Sequence, residues 1–391
     1  MAELGRWTRG MRTGLGTDPT HGAVVPPIYL STNYTFEAIG QPREYDYSRS
    51  GNPTRDQLND AIATLEGGVG ATTVATGLAG ATLVAEAFVP AGGRVLVQHD
   101  AYGGTWRLFQ FLAEQGRFAV DFVDFNDAGA LASALAANPS VVWIETPSNP
   151  LLRITDLRAV ADAAHAVGAL VVADNTFLSP LLQRPIQHGA DLVVHSTTKF
   201  INGHSDVVGG VVVAATEEHH ERLRLWANAL GLTGGAFDAY LTLRGLRTLE
   251  ARLRIHQENT DALIELLDGH PAVAALYYPG LESHPGHEVA ARQQSGMGSL
   301  LSLELHGGRA AAEAFVEGLQ IFHLAESLGG VESLICHPAS MTHAGMSPEA
   351  RATAGIGDGL LRLSIGIEGG DDLVAVVAEA LDRSQRGTPQ A

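Results

Sequence analysis

Among its 391 residues the sequence has a single cysteine, Cys336, so neither an intrachain disulfide nor a thiolate metal cluster can form, and a reducing compartment is the natural setting. No apolar run approaches the ~20 residues that a membrane helix needs. The opening twenty residues scatter Glu3, Arg6, Arg9 and Arg12 among glycines and lack the apolar stretch of a secretory leader. A cytoplasmic chain with no membrane partner is expected. Positive charge is also scarce. Lys and Arg total 25 against 43 Asp and Glu, and the net charge of −18 argues against a nucleic-acid partner. What is abundant is apolar: 45% of residues are hydrophobic and 17% charged, which points to a compact globular chain of more than one domain.

The most informative scarcity is lysine. Of the 25 basic residues, 24 are arginine and one is lysine, Lys199. Where only a surface positive charge is needed, arginine serves. A lysine is required where the group must lose its proton near neutral pH and attack a carbonyl as a free amine. Lys199 is therefore the candidate for condensing with an aldehyde, although survival by chance also accounts for one lysine. The same count excludes a phosphate-binding Gly-Lys-Ser/Thr loop, because Lys199 lies between Thr198 and Phe200. No Gly-x-Gly-x-x-Gly occurs, which removes the main support for a dinucleotide-binding enzyme.

Short β-branched runs at Val95–Gln98, Val120–Val123, Val141–Ile144, Leu170–Ala173 and Leu192–His195 are separated by helix-sized segments. This alternation predicts an α/β domain with a mostly parallel central sheet. A sixth run, Val211–Ala214, follows a short polar linker and is expected to run antiparallel. Thr73–Gly80 reads as a glycine-containing turn into a helix from Ala81 to Phe88. Such a helix start can hold a phosphate, or be an ordinary turn. Residues 1–60 lack the alternation and read as an extended N-terminal arm lying over a neighbouring subunit. Residues 61–255 form the α/β domain. Residues 256–391 form a smaller C-terminal α+β domain, with a strand at Leu300–Leu305, a helix at Ala310–Leu319, a further pair at Leu360–Ile367 and Leu373–Leu381, and a frayed end at 385–391.

Asp174 follows one predicted strand, and Ser196, Thr198 and Lys199 end the next, so all four sit at the carboxyl edge of the sheet, where α/β folds bind ligands. Tyr102 follows an earlier strand on the same edge. An amine for an aldehyde, an acid for a ring nitrogen, hydroxyls for a phosphate and an aromatic face are what pyridoxal 5'-phosphate requires. Taken singly, Asp174 could be a loop cap and Tyr102 a packing residue.

These residues carry a resemblance. Tyr47–Thr54 (YSRSGNPT), Glu145–Pro150 (ETPSNP), Asp174–Phe177 (DNTF), His195–Asp206 (HSTTKFINGHSD) and Glu326–Ser333 (ESLGGVES) are similar to the Cys/Met-metabolism family of pyridoxal-phosphate enzymes, over nearly the whole chain. Trp226–Asn228, Thr233–Asp238, Gly286–Gln294 and Met341–Met346 extend the likeness. The resemblance implies an aminotransferase-like fold of type I. It also implies that Lys199 binds the cofactor and shuttles protons, that Asp174 pairs with the ring nitrogen, and that Tyr102 stacks on the ring. By the same likeness Gly77, Leu78, Ser196 and Thr198 hold the phosphate, with Tyr47 and Arg49 reaching in from a partner subunit of a homotetramer. Arg362, with Asn149 and Ser327, would clamp the substrate α-carboxylate. For the distal end, Arg107 and Arg49 would bind a second carboxylate, and Asp46 and Glu326 an amino group; Asn228 completes the substrate set.

The implied reaction is γ-replacement, O-succinyl-L-homoserine and L-cysteine giving L-cystathionine and succinate. The related γ-lyases tend to carry Glu where this chain has Asp46. Elimination from cystathionine and sulfide addition to a homoserine ester are the alternatives, and a silent cofactor-binding regulatory protein is a rival from another class. No metal site is expected: Glu217-Glu218-His219-His220 reads as a solvated helix start, because adjacent residues on a helix do not face one ion.

Overall fold

The computed structural model describes residues 4–344, 351 and 354–386. Part of the stretch Met341–Met346 and the end from residue 387 onward lie outside the described residues.

Seven strands form the central sheet: β1 (Gly70–Val74), β2 (Arg94–Gln98), β3 (Ala119–Val123), β4 (Val141–Glu145), β5 (Leu170–Asp174), β6 (Leu192–Ser196) and β7 (Gly210–Ala214), in the order β1-β7-β6-β5-β4-β2-β3. Strands β2 to β6 pair parallel, and β7 pairs antiparallel with both β1 and β6, as its short linker predicted. β4 and β7 are buried at every position, which is why VVWI of the first and GVVVA of the second are continuous apolar runs rather than alternating ones. One face packs on the Pro53–Glu66 and Leu157–Ala166 helices, and the other on the Gly77–Phe88 helix. No helix among the described residues is long and apolar enough to cross a membrane.

β1 was not expected. Its last two residues, Thr73 and Val74, fall in the stretch read as a turn, yet all five of GATTV are buried and pair with β7. The helix after it starts at Gly77, four residues before the expected Ala81, because Thr76 caps it by accepting from the Ala79 amide at 2.9 Å. The expected arm boundary at residue 60 falls inside the helix Pro53–Glu66. That helix is begun by Asn52, whose side chain accepts from Thr54 and Arg55, and closed by Gly67 at φ +85°. The boundary at 255 likewise falls inside one helix, Leu249–Leu267.

A second sheet, in the order β10-β11-β12-β9-β8, comprises β8 (Val273–Tyr277), β9 (Leu300–Leu305), β10 (His323–Leu324), β11 (Leu334–Cys336) and β12 (Leu360–Ser364). The helices Gly308–Val316 and Gly370–Arg386 cover it, burying Phe315, Leu373 and Leu381. β9 and β12 and their covering helices match the expected elements; β8, β10 and β11 were missed, two of them being three residues or shorter.

Candidate active site

The carboxyl ends of β4, β5 and β6, the start of the Gly77–Phe88 helix, Arg362 of β12 and the loop Glu326–Leu328 enclose a cavity of about 490 Å³. Gly77, Leu78, Tyr102, Arg107, Asn149, Asp174, Ser196, Thr198, Lys199, Glu326, Ser327 and Arg362 line it, so twelve of the sixteen residues expected from sequence come together.

At one end the helix start presents the Gly77 and Leu78 amides, which have no intrahelical acceptor. A side chain at Gly77 is excluded, since a Cβ there would stand 2.8 Å from Ser196 Cβ; at Gly210 a Cβ would stand 2.2 Å from the Thr76 carbonyl oxygen. The cradle between helix and strand is thus kept open by glycine. The Ser196 hydroxyl has no hydrogen bond among the described residues, and Thr198 Oγ1 accepts from the Gly209 amide at 3.0 Å. Two amides and two hydroxyls at a helix N-terminus fit a phosphate group.

In the middle, Asp174 Oδ1 accepts from the Thr176 amide at 3.0 Å and the Thr176 hydroxyl at 2.5 Å, and that hydroxyl accepts from the Ser196 amide at 2.9 Å. Burial pushes the Asp174 carboxyl up, and the two Thr176 bonds pull it back. Directly in register on β4 is Glu145, 4% exposed. Its burial, and then the charge of Asp174, push it well above the usual carboxylate range, while its Oε2 accepts from the Tyr102 amide at 2.7 Å. A cationic ring nitrogen against Asp174 relieves this crowding of acids, so the donor set fits pyridoxal phosphate here too. Tyr102 stands at the head of the helix Gly103–Glu114, with its ring over Gly104, where a Cβ would come within 2.4 Å.

At the other end, Lys199 Nζ donates to Ser327 Oγ at 2.7 Å. Burial, reinforced by the Arg362 charge and opposed by Glu326, pulls the amine down to about 8. Arg362, on β12 and 3% exposed, donates from Nη1 to Asn149 Oδ1 at 2.9 Å and from Nη2 to the Ser327 carbonyl at 2.7 Å. Its Nε has no partner, and no carboxylate among the described residues pairs with it. A buried guanidinium held only by neutral acceptors is suited to an incoming carboxylate. Ser327 bridges amine and guanidinium from a backbone at φ +81°, a conformation that a non-glycine residue adopts only when its surroundings require it.

Four expected residues are not brought to this cavity within one chain. Asp46, Arg49 and Asn228 line a second cleft of about 560 Å³, with Tyr47 beside it. There Arg49 Nε donates to Asn228 Oδ1 at 2.9 Å, and Asp46 accepts from the Tyr47 amide and the Ser50 hydroxyl. Glu145 and Thr176 were given no role from sequence. Glu145 had a signal, since like Asp174 it ends a buried apolar run. Glu217 to His220 begin the Glu217–Leu230 helix, but only Glu217 and Glu218 are exposed as expected of a solvated start; His219 packs edge-on against Phe88 and His220 is half-buried.

A sequence profile of the family described as Cys/Met metabolism PLP-dependent enzyme matches residues 7–382. The cystathionine γ-synthase of Escherichia coli K12 is 52% identical over 97% of this chain and 98% of its own length. The crystal structure of cystathionine γ-synthase from Xanthomonas oryzae pv. oryzae in complex with cystathionine is 61% identical, superposes with a TM-score of 0.97 and covers 99% of this chain and all of that one. A cystathionine β-lyase of Lactococcus lactis subsp. cremoris is 45% identical over 96% of this chain and 98% of its own.

Proposed function

The chain belongs to the family of Cys/Met metabolism pyridoxal-phosphate-dependent enzymes, and from that premise we propose that it catalyses γ-replacement, L-cysteine displacing succinate from O-succinyl-L-homoserine to give L-cystathionine. The observation that carries this reading is the pairing, through Ser327, of a lysine amine at about 8 with a buried arginine that lacks a carboxylate. An amino acid that is to lose its α-proton has to be held by its carboxylate beside a base, and this bridge fixes the spacing between the guanidinium and the amine.

Bound in the cavity, pyridoxal phosphate supplies an aldehyde and an electron-withdrawing ring that stabilises negative charge on the substrate α-carbon. Gly77, Leu78, Ser196 and Thr198 would hold its phosphate, Asp174 would keep the proton on its ring nitrogen, and Tyr102 would pack on its ring. Arg362 clamps the substrate α-carboxylate, steadied by Asn149. Lys199 removes the α-proton and later returns one, which an amine near neutrality can do in both directions. Tyr102 assists in deprotonating the incoming amine. Arg107 binds the succinyl carboxylate and Glu326 the amino group of cysteine. The γ-carbon–oxygen bond breaks, a γ-carbon–sulfur bond forms, and the thiol proton leaves with succinate.

The second cleft is read as part of a partner's site. Asp46, Tyr47, Arg49 and Asn228 would complete the cavity of a neighbouring subunit in a cytoplasmic homotetramer. Supporting this are the exposed apolar residues of the preceding segment, Val24, Leu30 and Ile39, which are 71%, 69% and 104% exposed in the single chain. Light scattering of the purified protein checks the assembly. The reaction is checked by supplying the ester with and without cysteine: cystathionine and succinate are expected in equal amounts. Ammonia and 2-oxobutyrate as main products in the presence of cysteine would move the chain to the lyases, and no product at all would favour a silent binding protein.

A further inference from the structure

Behind Asp174, on the reverse face of the central sheet, lies a polar pair that the mechanism does not use. Val172 packs on the face that carries Asp174, whereas Ala173 and Val193 pack with Leu58, Ile62 and Leu65 of the Pro53–Glu66 helix on the other. Asn175 and His195 share that second face by the alternation of a strand. There Glu66, the last residue of the helix, meets them. His195 Nε2 lies 3.7 Å from Glu66 Oε1, both side chains are completely buried, and Asn175 Nδ2 donates to the same oxygen at 3.1 Å. Neither ring nitrogen of His195 nor Glu66 Oε2 has a hydrogen-bond partner.

A carboxylate and an imidazole buried with three polar atoms unsatisfied are costly, and apolar residues of similar volume would fill the space more cheaply. The pair's position suggests its use. His195 immediately precedes Ser196, and Asn175 immediately follows Asp174, so Glu66 touches both strand ends that carry cofactor residues. Asp174 itself stands beside Glu145, and two buried acids in register oppose each other's ionisation. A positive charge at His195 favours the ionised form of Asp174. The other charged group bearing on Glu66 is Arg6, half-buried and donating to the carbonyls of Leu65 and Pro180.

We propose that Glu66 and His195 form an ion pair whose imidazolium end acts as a positioning charge for Asp174, keeping that carboxyl ionised against Glu145 so that it can hold a protonated ring nitrogen. The proposal rests on the reading that pyridoxal phosphate occupies the cavity. It makes Glu66 and His195 positioning residues, acting through Asp174 and touching neither cofactor nor substrate.

The test compares two ligands on the cofactor-depleted full chain: pyridoxal phosphate, and its analogue with carbon in place of the ring nitrogen. Dissociation constants are read from tryptophan fluorescence for the unaltered chain, Glu66→Gln and His195→Gln. One unit of coupling at Asp174 corresponds to roughly tenfold in binding. Each substitution is expected to weaken pyridoxal phosphate about tenfold and the analogue by less than about twofold, and the difference should vanish in an Asp174→Asn background. Equal weakening of both ligands would make the pair merely a strut, and no weakening of either would leave it without a role; both outcomes overturn the proposal. Failure of the unaltered chain to bind pyridoxal phosphate would instead remove the reading of the cavity. If neither variant folds, a neutron structure of the unaltered protein decides: deuterium on both ring nitrogens of His195 supports the ion pair, and deuterium on one overturns it.

Discussion

The two clefts of the chain are nearly equal in size, about 490 and 560 Å³, and differ in the state of their polar groups. In the smaller, a lysine amine is held near neutrality, an arginine Nε is buried without a partner, and two acids crowd each other. In the larger, Arg49 is held by Asn228, Asp46 by Ser50 and the Tyr47 amide, and Arg55 by the carbonyls of Ser48 and Gly234; its crowded acids, Asp56 and Asp60, stand where water reaches them, and it has no lysine. Volume does not distinguish the two. Unsatisfied chemistry, kept so by a scaffold able to bear its cost, does.

The sharpest way to break this contrast is at the amine. Lys199→Arg keeps the charge and loses the removable proton, and turnover is expected to fall by roughly 10³-fold or more, as steady-state kinetics would show. Next is the guanidinium: Arg362→Ala leaves the substrate carboxylate unpaired in a buried site, and kcat/KM should drop on the order of 10²-fold, chiefly through KM. A pH series then probes the environment rather than the residue. With the amine lowered to about 8, its neutral fraction grows as pH rises through that value, so covalent uptake of pyridoxal phosphate should accelerate about tenfold between roughly pH 7 and 9 when followed by absorbance. An increase delayed to roughly pH 10 would mean that the cavity does not lower the amine. The smallest effect concerns the larger cleft. Chains carrying Lys199→Ala and Arg49→Ala, each inactive alone, should recover about a quarter of normal activity when mixed, because random pairing leaves one intact site in half of the dimers. No recovery would return Arg49 to a role within its own chain.

How much of this was legible in the sequence depends on what kind of signal each residue leaves. Lys199 could be found by counting. Asp174, Ser196 and Thr198 could be found because buried parallel strands are continuous apolar runs, and the residue ending such a run sits at the ligand edge. Arg362 left no signal of that kind: it comes from another sheet, and only the family likeness singled it out from 24 arginines. β1 was hidden because its threonines and glycine resemble a turn until β7 covers them. Glu66 was invisible for a further reason, since a carboxylate at the end of a helix normally faces water, and here His195, Asn175 and the segment around Arg6 close over that helix end.

The burial of the sole lysine also makes the protein a selective chemical target. Acylating esters and reductive methylation ordinarily decorate a protein's exterior at many points. Here, the chain's α-amine aside, they find a single amine, and it lines the candidate active site. Tethering to a solid support or attaching a dye should therefore be directed elsewhere, and the extent of acylation becomes a direct gauge of how many cavities stand open.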